Sequence, residues 1–140
     1  MDNQRCPFID DWGEKEYEIL ISCLKNTLAA GGFVYAAFWH GMLKGFVSVE
    51  SGLFGNTQNY LDLSSIHVSE DLRGKGIGAA LFQAAKEWAK TQGAAKLYIS
   101  AHSAVESQAF YKKIGCVDAA FIHQKHVEDE PFDRQLECTL

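Results

Sequence analysis

The fold is decided by residues 66–81, which read IHVSEDLRGKGIGAAL. An apolar run ends at Val68, as a buried strand would, and an apolar helical pattern begins at Ile77. A glycine-rich turn separates the two, so the stretch predicts a strand, a tight turn and a helix in immediate succession.

The turn itself predicts an anion site. Its glycines, Gly74, Gly76 and Gly78, remove side chains, so backbone amides can come close to a ligand. The helix start adds unpaired N–H groups and the positive end of a dipole. Arg73 and Lys75 add positive charge, and the combination favours a phosphate or pyrophosphate.

Two nucleotide-binding motifs fit this turn poorly. A P-loop needs Ser or Thr after its lysine, whereas Lys75 is followed by Gly76. Gly74, Gly76 and Ala79 do satisfy the dinucleotide fingerprint, but residues 99–102 supply no acid where the next strand ends. A purely structural glycine-rich turn stays open as an alternative.

The flanking segments predict a mixed α/β fold. The apolar spacing from Glu14 to Ala30 predicts a helix, which Gly31 and Gly32 end. Further elements are expected at Phe33–Trp39, Lys44–Val49 and Tyr60–Val68 (strands), from Ile77 to Gly93 (helix), at Lys96–Ser100 (strand), from a Ser103–Glu106 capping box to Ile114 (helix), and at Cys116–Ile122 and Gln135–Leu140 (strands, with a polar loop between them).

This order predicts a sheet that is mostly antiparallel. Turns or a loop join the first three strands, whereas a helical crossover between the third and fourth implies one parallel pair. With 140 residues, the chain is expected to form one domain over residues 1–140, with helices on the faces of the sheet.

Composition excludes several classes of protein. The net charge of −5, from 13 Lys+Arg against 18 Asp+Glu, argues against a nucleic-acid binder. No apolar run approaches the roughly 18 residues of a membrane span, and the N-terminus lacks the pattern of a secretory signal. A cytoplasmic location without membrane contact is therefore expected.

The cysteines and histidines indicate no metal site. Cys6, Cys23, Cys116 and Cys138 form no Cys-x-x-Cys pair, so reduced thiols packed as small apolar groups are expected. The sequence 123–126 reads His-x-x-His, but no second ligand pair accompanies it.

Two motifs resemble a known family. Arg73–Gly78 resembles the Arg/Gln-x-x-Gly-x-Gly/Ala signature of the GNAT superfamily of N-acetyltransferases, and Ile66–Val68 resembles the end of its central strand. Ala109–Cys116, which reads AFYKKIGC, resembles its second hallmark, a helix with Phe-Tyr-x-x-x-Gly-Phe. The resemblance covers Phe33 to Leu140.

The resemblance implies how a cofactor would be held. Acetyl-CoA would lie between two splayed parallel strands, Tyr60–Val68 and Lys96–Ser100. Its pantetheine arm would bond to backbone groups of Ile66, His67 and Val68. The remaining cofactor contacts would come from Arg73, Gly74, Lys75, Gly76, Ile77, Gly78 and Ala79, with the pyrophosphate on the amides from Gly74 to Ala79.

The resemblance also implies direct transfer to a primary amine of a small molecule or a protein. Tyr111 would protonate the leaving thiolate, the alternative being a tyrosine that only packs in the core. Asp62 is the candidate base, the alternative being a surface carboxylate, while His67 and His102 are weaker candidates. The acids of residues 123–133 would favour cationic amines, unless they form only a solvated surface.

Two departures from the family bear on activity. Ala104 stands where many relatives have an Asn that contacts the cofactor arm. The family's first strand and helix are expected to be absent before Glu14, so a second copy of the chain in a homodimer is one way to complete the site. A non-catalytic module that binds acyl-CoA or a partner protein is the alternative function.

Overall fold

The computed structural model describes residues 14–55, 59–69, 74–101, 105–129 and 131–140. The chain divides into two compact units, Met1–Ser51 with Ser64–Ala85 and Gly52–Leu63 with Lys86–Leu140. The expectation of a single domain stays a prediction. Among the described residues, no helix is long and apolar enough to cross a membrane.

In the described part of the chain the elements follow the order α1 Glu14–Ala29, β1 Phe33–Trp39, β2 Met42–Val49, β3 Tyr60–Val68, α2 Ile77–Thr91, β4 Lys96–Ala101, α3 Val105–Lys113, β5 Val117–Asp118, α4 Gln124–Asp129 and β6 Arg134–Thr139. The six-stranded sheet has the order β1-β2-β3-β4-β6-β5. β3 and β4 pair in parallel, whereas β1 with β2, β4 with β6 and β5 with β6 pair antiparallel. The predicted mixed sheet with flanking helices is confirmed.

The first unit is built on the β1–β2 hairpin. Its register runs from Phe33↔Val49 to Trp39↔Met42, and the turn is made by His40 and Gly41, both at positive φ. A small core of Leu24, Leu43 and Phe46 lies where α1 packs on the hairpin, together with half-buried side chains of Ile21, Cys23, Val34 and Ala36. Apolar contacts of Leu24 and Ile21 therefore help to hold α1 on the hairpin.

The end of α1 depends on two glycines. Gly31 adopts a φ of +89°, and its amide donates to the carbonyl of Leu28. A Cβ atom on Gly32 would lie 2.6 Å from the carbonyl oxygen of Val49, so a side chain has no room there. The predicted helix end is confirmed, and its cause is steric as well as conformational.

The second unit is centred on β4, which lies between β3 and β6. Leu97, Tyr98 and Ile99 have no solvent exposure, and Leu61 is 1% exposed. The β4–β6 register runs from Lys96↔Thr139 to Ala101↔Arg134. The predicted strand Lys96–Ser100 is confirmed, and β4 extends one residue further to Ala101.

The predicted strand Cys116–Ile122 is wrong, because β5 covers only Val117–Asp118. Backbone pairing reaches the Ala119 amide, which donates to the Gln135 carbonyl, and the next amide, that of Ala120, donates to the carboxylate of Glu137. The predicted polar loop after it contains the short helix α4.

Two further expectations concern the cysteines and the start of α3. The prediction that the cysteines are reduced is wrong at Cys23, which is disulfide-bonded, whereas Cys116 and Cys138 are buried free thiols. Ser103, the first residue of the predicted capping box, lies outside the described residues, and α3 is described from Val105.

Candidate active site

The glycine-rich turn before α2 presents bare backbone to solvent. Gly74 and Gly76 adopt φ angles of +81° and +80°, which L side chains rarely accept. A Cβ atom on either glycine would meet nothing within 4 Å, and residues 74–76 are exposed. The backbone atoms of this turn are therefore accessible to a bound ligand. Arg73, predicted to belong to this site, lies outside the described residues.

The first turn of α2 continues this surface. The Ala80 amide donates to the Gly76 carbonyl over 3.1 Å, so the amides of Ile77, Gly78 and Ala79 fall in the part of the helix that has no intrahelical acceptor. No acidic residue stands in this first turn to neutralise the positive dipole end. Together with exposed Lys75, these groups offer an anion both hydrogen-bond donors and positive charge.

The residue that follows β3 is hydrogen-bonded to β2. The Ser69 amide donates to the Lys44 carbonyl over 2.7 Å. The His67 side chain is buried, and its ring centroid lies 6.1 Å from that of Phe46. Ile66 and Val68 flank His67 and are half-buried. The three residues predicted to bind the pantetheine arm are thus the last three residues of β3.

Tyr111 lies in the last turns of α3 and is buried. Its ring packs edge-on against Phe110, with the centroids 5.3 Å apart. Its carbonyl accepts a hydrogen bond from the Cys116 amide over 2.9 Å, while Gly115 makes the intervening turn at a φ of +97°. The helix end that carries the candidate acid is therefore held by a glycine-based cap.

Asp62 is buried, with its side chain 8% exposed, so the surface alternative for this carboxylate is wrong. Its Oδ2 lies 3.1 Å from Nε2 of His126, which is within ion-pair distance. Neither Oδ1 of Asp62 nor Nε2 of His126 makes a hydrogen bond, so the two side chains are close without being aligned as donor and acceptor. A buried carboxylate oxygen without a donor is costly, by about 1–3 kcal/mol for an ordinary polar group, and therefore calls for an explanation.

His126 is a residue whose association with Asp62 the sequence did not reveal. The His-x-x-His spacing was interpreted as a weak metal motif, and no group of three metal-ligating side chains occurs among the described residues. The ring of His126 instead stacks on Tyr98, with centroids 5.8 Å apart.

His123 contacts both Tyr98 and His126. Its amide donates to the Tyr98 hydroxyl over 2.8 Å, and its ring centroid is 4.3 Å from that of His126. Burial and the neighbouring His126 lower the pKa of His123, although Asp62 opposes them. His102, the other weak candidate for a base, lies outside the described residues.

Glu137 makes a separate buried network. It accepts hydrogen bonds from the Tyr60 hydroxyl and the Ala120 amide, each over 2.8 Å, and pairs with Lys96 over 2.6 Å. Burial raises the pKa of Glu137, but Lys96, the Ala120 amide and Tyr60 together hold it below its ordinary value. Because both carboxylate oxygens of Glu137 have partners, we assign this carboxylate a structural role.

The class of protein follows from comparison with known families. The model of the acetyltransferase (GNAT) family matches residues 1–116, so the chain belongs to the GNAT family. No protein of curated function matches the chain.

Solved structures of the same class share the fold. They include a GNAT-family acetyltransferase from Staphylococcus aureus Mu50, which is 20% identical with a TM-score of 0.68 over 91% of this chain and 79% of that one. The PaiA N-acetyltransferase from Thermoplasma acidophilum, solved with coenzyme A, is 18% identical with a TM-score of 0.65 over 89% and 71%. The IAA acetyltransferase from Bacillus cereus ATCC 14579 is 26% identical, with a TM-score of 0.61 over 89% and 85%.

Proposed function

We propose that the protein is an acetyl-CoA-dependent N-acetyltransferase that moves an acetyl group directly to a primary amine in a ternary complex. The acceptor is a small molecule or an amino group of a protein. The observation that carries the proposal is the exposed backbone of Gly74–Gly76, which leads into an α2 N-terminus free of acidic residues. Membership of the GNAT family supports acetyl-CoA as the donor.

In this proposal the cofactor is held mainly by main-chain groups. The amides from Gly74 to Ala79, with Lys75 and Arg73, bind the pyrophosphate, because helix N-termini attract anions. Ile66, His67 and Val68 bind the pantetheine arm through their backbone. The close attachment of β3 to β2 at Ser69 and Lys44 supports a fixed position for these peptide groups.

The chemistry needs an acid and a base. A neutral amine attacks the thioester carbonyl carbon, so the acceptor ammonium must first lose its proton, and we assign that proton to Asp62. The carbon–nitrogen bond forms, and the resulting oxyanion accepts from a backbone amide near Val68. The carbon–sulfur bond then breaks, and Tyr111 donates its phenolic proton to the departing thiolate.

The surroundings of Asp62 support its assignment as the base. The carboxylate is buried, its Oδ2 faces His126, and its Oδ1 has no hydrogen-bond donor. An ammonium or amine proton is the kind of donor that this oxygen lacks. Asp62→Asn therefore tests the base, because the amide keeps the shape and loses the ability to take a proton.

Product analysis tests the reaction as a whole. The purified protein is incubated with acetyl-CoA and a panel of polyamines, amino acids and lysine peptides, and N-acetyl products are identified by mass spectrometry. Formation of an N-acetylated amine with release of one CoA per product supports the proposal. Binding of acetyl-CoA without any product across the panel would favour the non-catalytic module. The homodimer remains a prediction, which light scattering of the same sample checks.

A further inference from the structure

Two buried free thiols lie opposite each other where β5 pairs with β6. Cys116 is 7% exposed and Cys138 is 3% exposed. Cys116 directly precedes β5, and Cys138 lies near the end of β6. The β5–β6 register pairs Val117 with Glu137, so one step further along the ladder places Cys116 opposite Cys138.

The positions of Cys116 and Cys138 in the β5–β6 ladder are compatible with a disulfide bond. The Ala119 amide donates to the Gln135 carbonyl, which makes this pair a hydrogen-bonded one. Hydrogen-bonded and non-hydrogen-bonded pairs alternate in antiparallel sheets, so Cys116 and Cys138 occupy a non-hydrogen-bonded pair with Cα atoms about 4.5 Å apart. Disulfides form at Cα separations of roughly 4.4–6.8 Å.

The electrostatics favour a reactive thiolate. A hydrogen bond from the Cys116 thiol lowers the pKa of Cys138 to about 6, assisted by the Lys86 ammonium and opposed by burial. The same contact raises the pKa of Cys116, with burial acting in the same direction. A thiolate is the form of cysteine that reacts with oxidants.

A small oxidant can reach the two sulfur atoms because β5 is short. This strand has two residues at the edge of the sheet, both exposed, so little ordered structure must open for a small oxidant to reach the sulfurs. Cys23, in contrast, is already disulfide-bonded and offers no thiol for exchange.

We propose that Cys116 and Cys138 are a redox-responsive modification site, which a small peroxide oxidises to an intramolecular disulfide and a dithiol reductant reopens. The Cys138 thiolate attacks a peroxide oxygen and the O–O bond breaks, which gives a sulfenic acid on Cys138 and releases hydroxide. Cys116 sulfur then attacks Cys138 sulfur, the S–S bond forms, and the S–O bond breaks. The thiol protons convert both hydroxides to water, so two thiols are oxidised while one peroxide becomes two waters.

The bridge would act on the candidate acid through one hydrogen bond. The Cys116 amide donates to the Tyr111 carbonyl, so a change in the Cys116 backbone on oxidation is passed to the cap of α3. We expect oxidation to lower the acetyl-transfer rate severalfold and a dithiol to restore it. This consequence rests on the proposed function, whereas formation of the disulfide does not.

Peptide mapping of the whole chain tests the site directly. The native protein is treated with hydrogen peroxide, alkylated and digested with trypsin without reduction. Cleavage after Lys113, Lys125 and Arg134 releases residues 114–125 and 135–140, each with one of the two cysteines. We expect these peptides to appear as one disulfide-linked species, which dithiothreitol separates.

Cys116→Ser and Cys138→Ser are the matched controls, since each keeps one thiol and neither can give the linked species. Recovery of both wild-type peptides unlinked after oxidation, or linked to other cysteines, would overturn the proposal. The mapping needs no variant to fold and no acetyl transfer to occur. If the reduced protein transfers no acetyl group but forms the disulfide on oxidation, only the proposed function is refuted. If the reduced protein is active but forms no disulfide, only this inference is refuted.

Discussion

A Cβ atom placed on Gly45 would lie 3.1 Å from the carbonyl oxygen of His67. Gly45 is buried in β2, and its missing side chain lets the end of β3 approach closely. The same Cβ would lie 3.4 Å from Cδ1 of Leu81 on α2. One glycine therefore sets the packing of the strand end and the helix that carry the proposed cofactor contacts.

Gly45→Ala is expected to destabilise the protein by about 1 kcal/mol, because either the His67 carbonyl or the new methyl group must move. A change of this size lowers the melting temperature by a few degrees, roughly 3 °C. Thermal unfolding followed by circular dichroism measures it. An unchanged or higher melting temperature would show that the space beside His67 is larger than we infer.

Lys75→Ala is expected to weaken acetyl-CoA binding about fivefold, since an exposed lysine contributes up to about 1 kcal/mol to an ion pair. Lys90→Ala is the matched control, because Lys90 is also exposed but stands in the last turn of α2. Calorimetric titrations of both variants at low salt make the comparison. Equal losses would indicate a general charge effect and argue against a pyrophosphate at residues 74–79.

Tyr111→Phe is expected to lower kcat about a hundredfold while leaving the affinity for acetyl-CoA unchanged, because it removes only the proton donor. Tyr35→Phe serves as the control, since Tyr35 is an exposed tyrosine on β1. Steady-state rates with a saturating amine measure the effect. A Tyr111→Phe enzyme that keeps its full kcat would show that the thiolate leaves without help from this residue.

Glu137→Gln is expected to destabilise the protein by about 2 kcal/mol at neutral pH, where a charged acceptor loses its hydrogen-bonded ion pair with Lys96. Because the folded pKa of Glu137 is held below its ordinary value, the stability it contributes is present above the unfolded pKa of about 4.3. That stability is lost as the pH falls through the folded pKa. Urea unfolding at several pH values should therefore show the two proteins converging in acid.

Asp118→Asn provides the comparison for Glu137. Asp118 pairs with Arg134 over 2.9 Å, but both side chains are more than half exposed. Solvent and salt screen such a pair, so we expect no measurable loss of stability at neutral pH. A loss equal to that of Glu137→Gln would mean that burial is not what distinguishes the two ion pairs.

Sequence patterns predicted the fold well where the causes are local. β3 has the predicted bounds Tyr60–Val68, and α1 and α2 end next to the glycines that were expected to end them. Apolar periodicity and glycine both act within a few residues, so they are visible in one chain. The glycine-rich turn was placed correctly for the same reason.

The C-terminal part was predicted less well because its structure depends on distant partners. Cys116–Ile122 has the composition of a strand, yet β5 covers only Val117–Asp118 and the Ala120 amide donates to the carboxylate of Glu137. The proximity of Asp62 to His126 likewise arises only when α4 packs near β3. The Cys116 and Cys138 pair had a usable signal, since each was placed in one of the last two predicted strands.

The most direct test of the account is a calorimetric titration of the purified protein with acetyl-CoA, with CoA and NADH as comparisons. The account predicts one acetyl-CoA bound per chain in the micromolar range, binding of CoA as well, and no heat with NADH. Absence of binding to both coenzyme A species would contradict it, because the turn at Gly74–Gly76 would then hold no pyrophosphate.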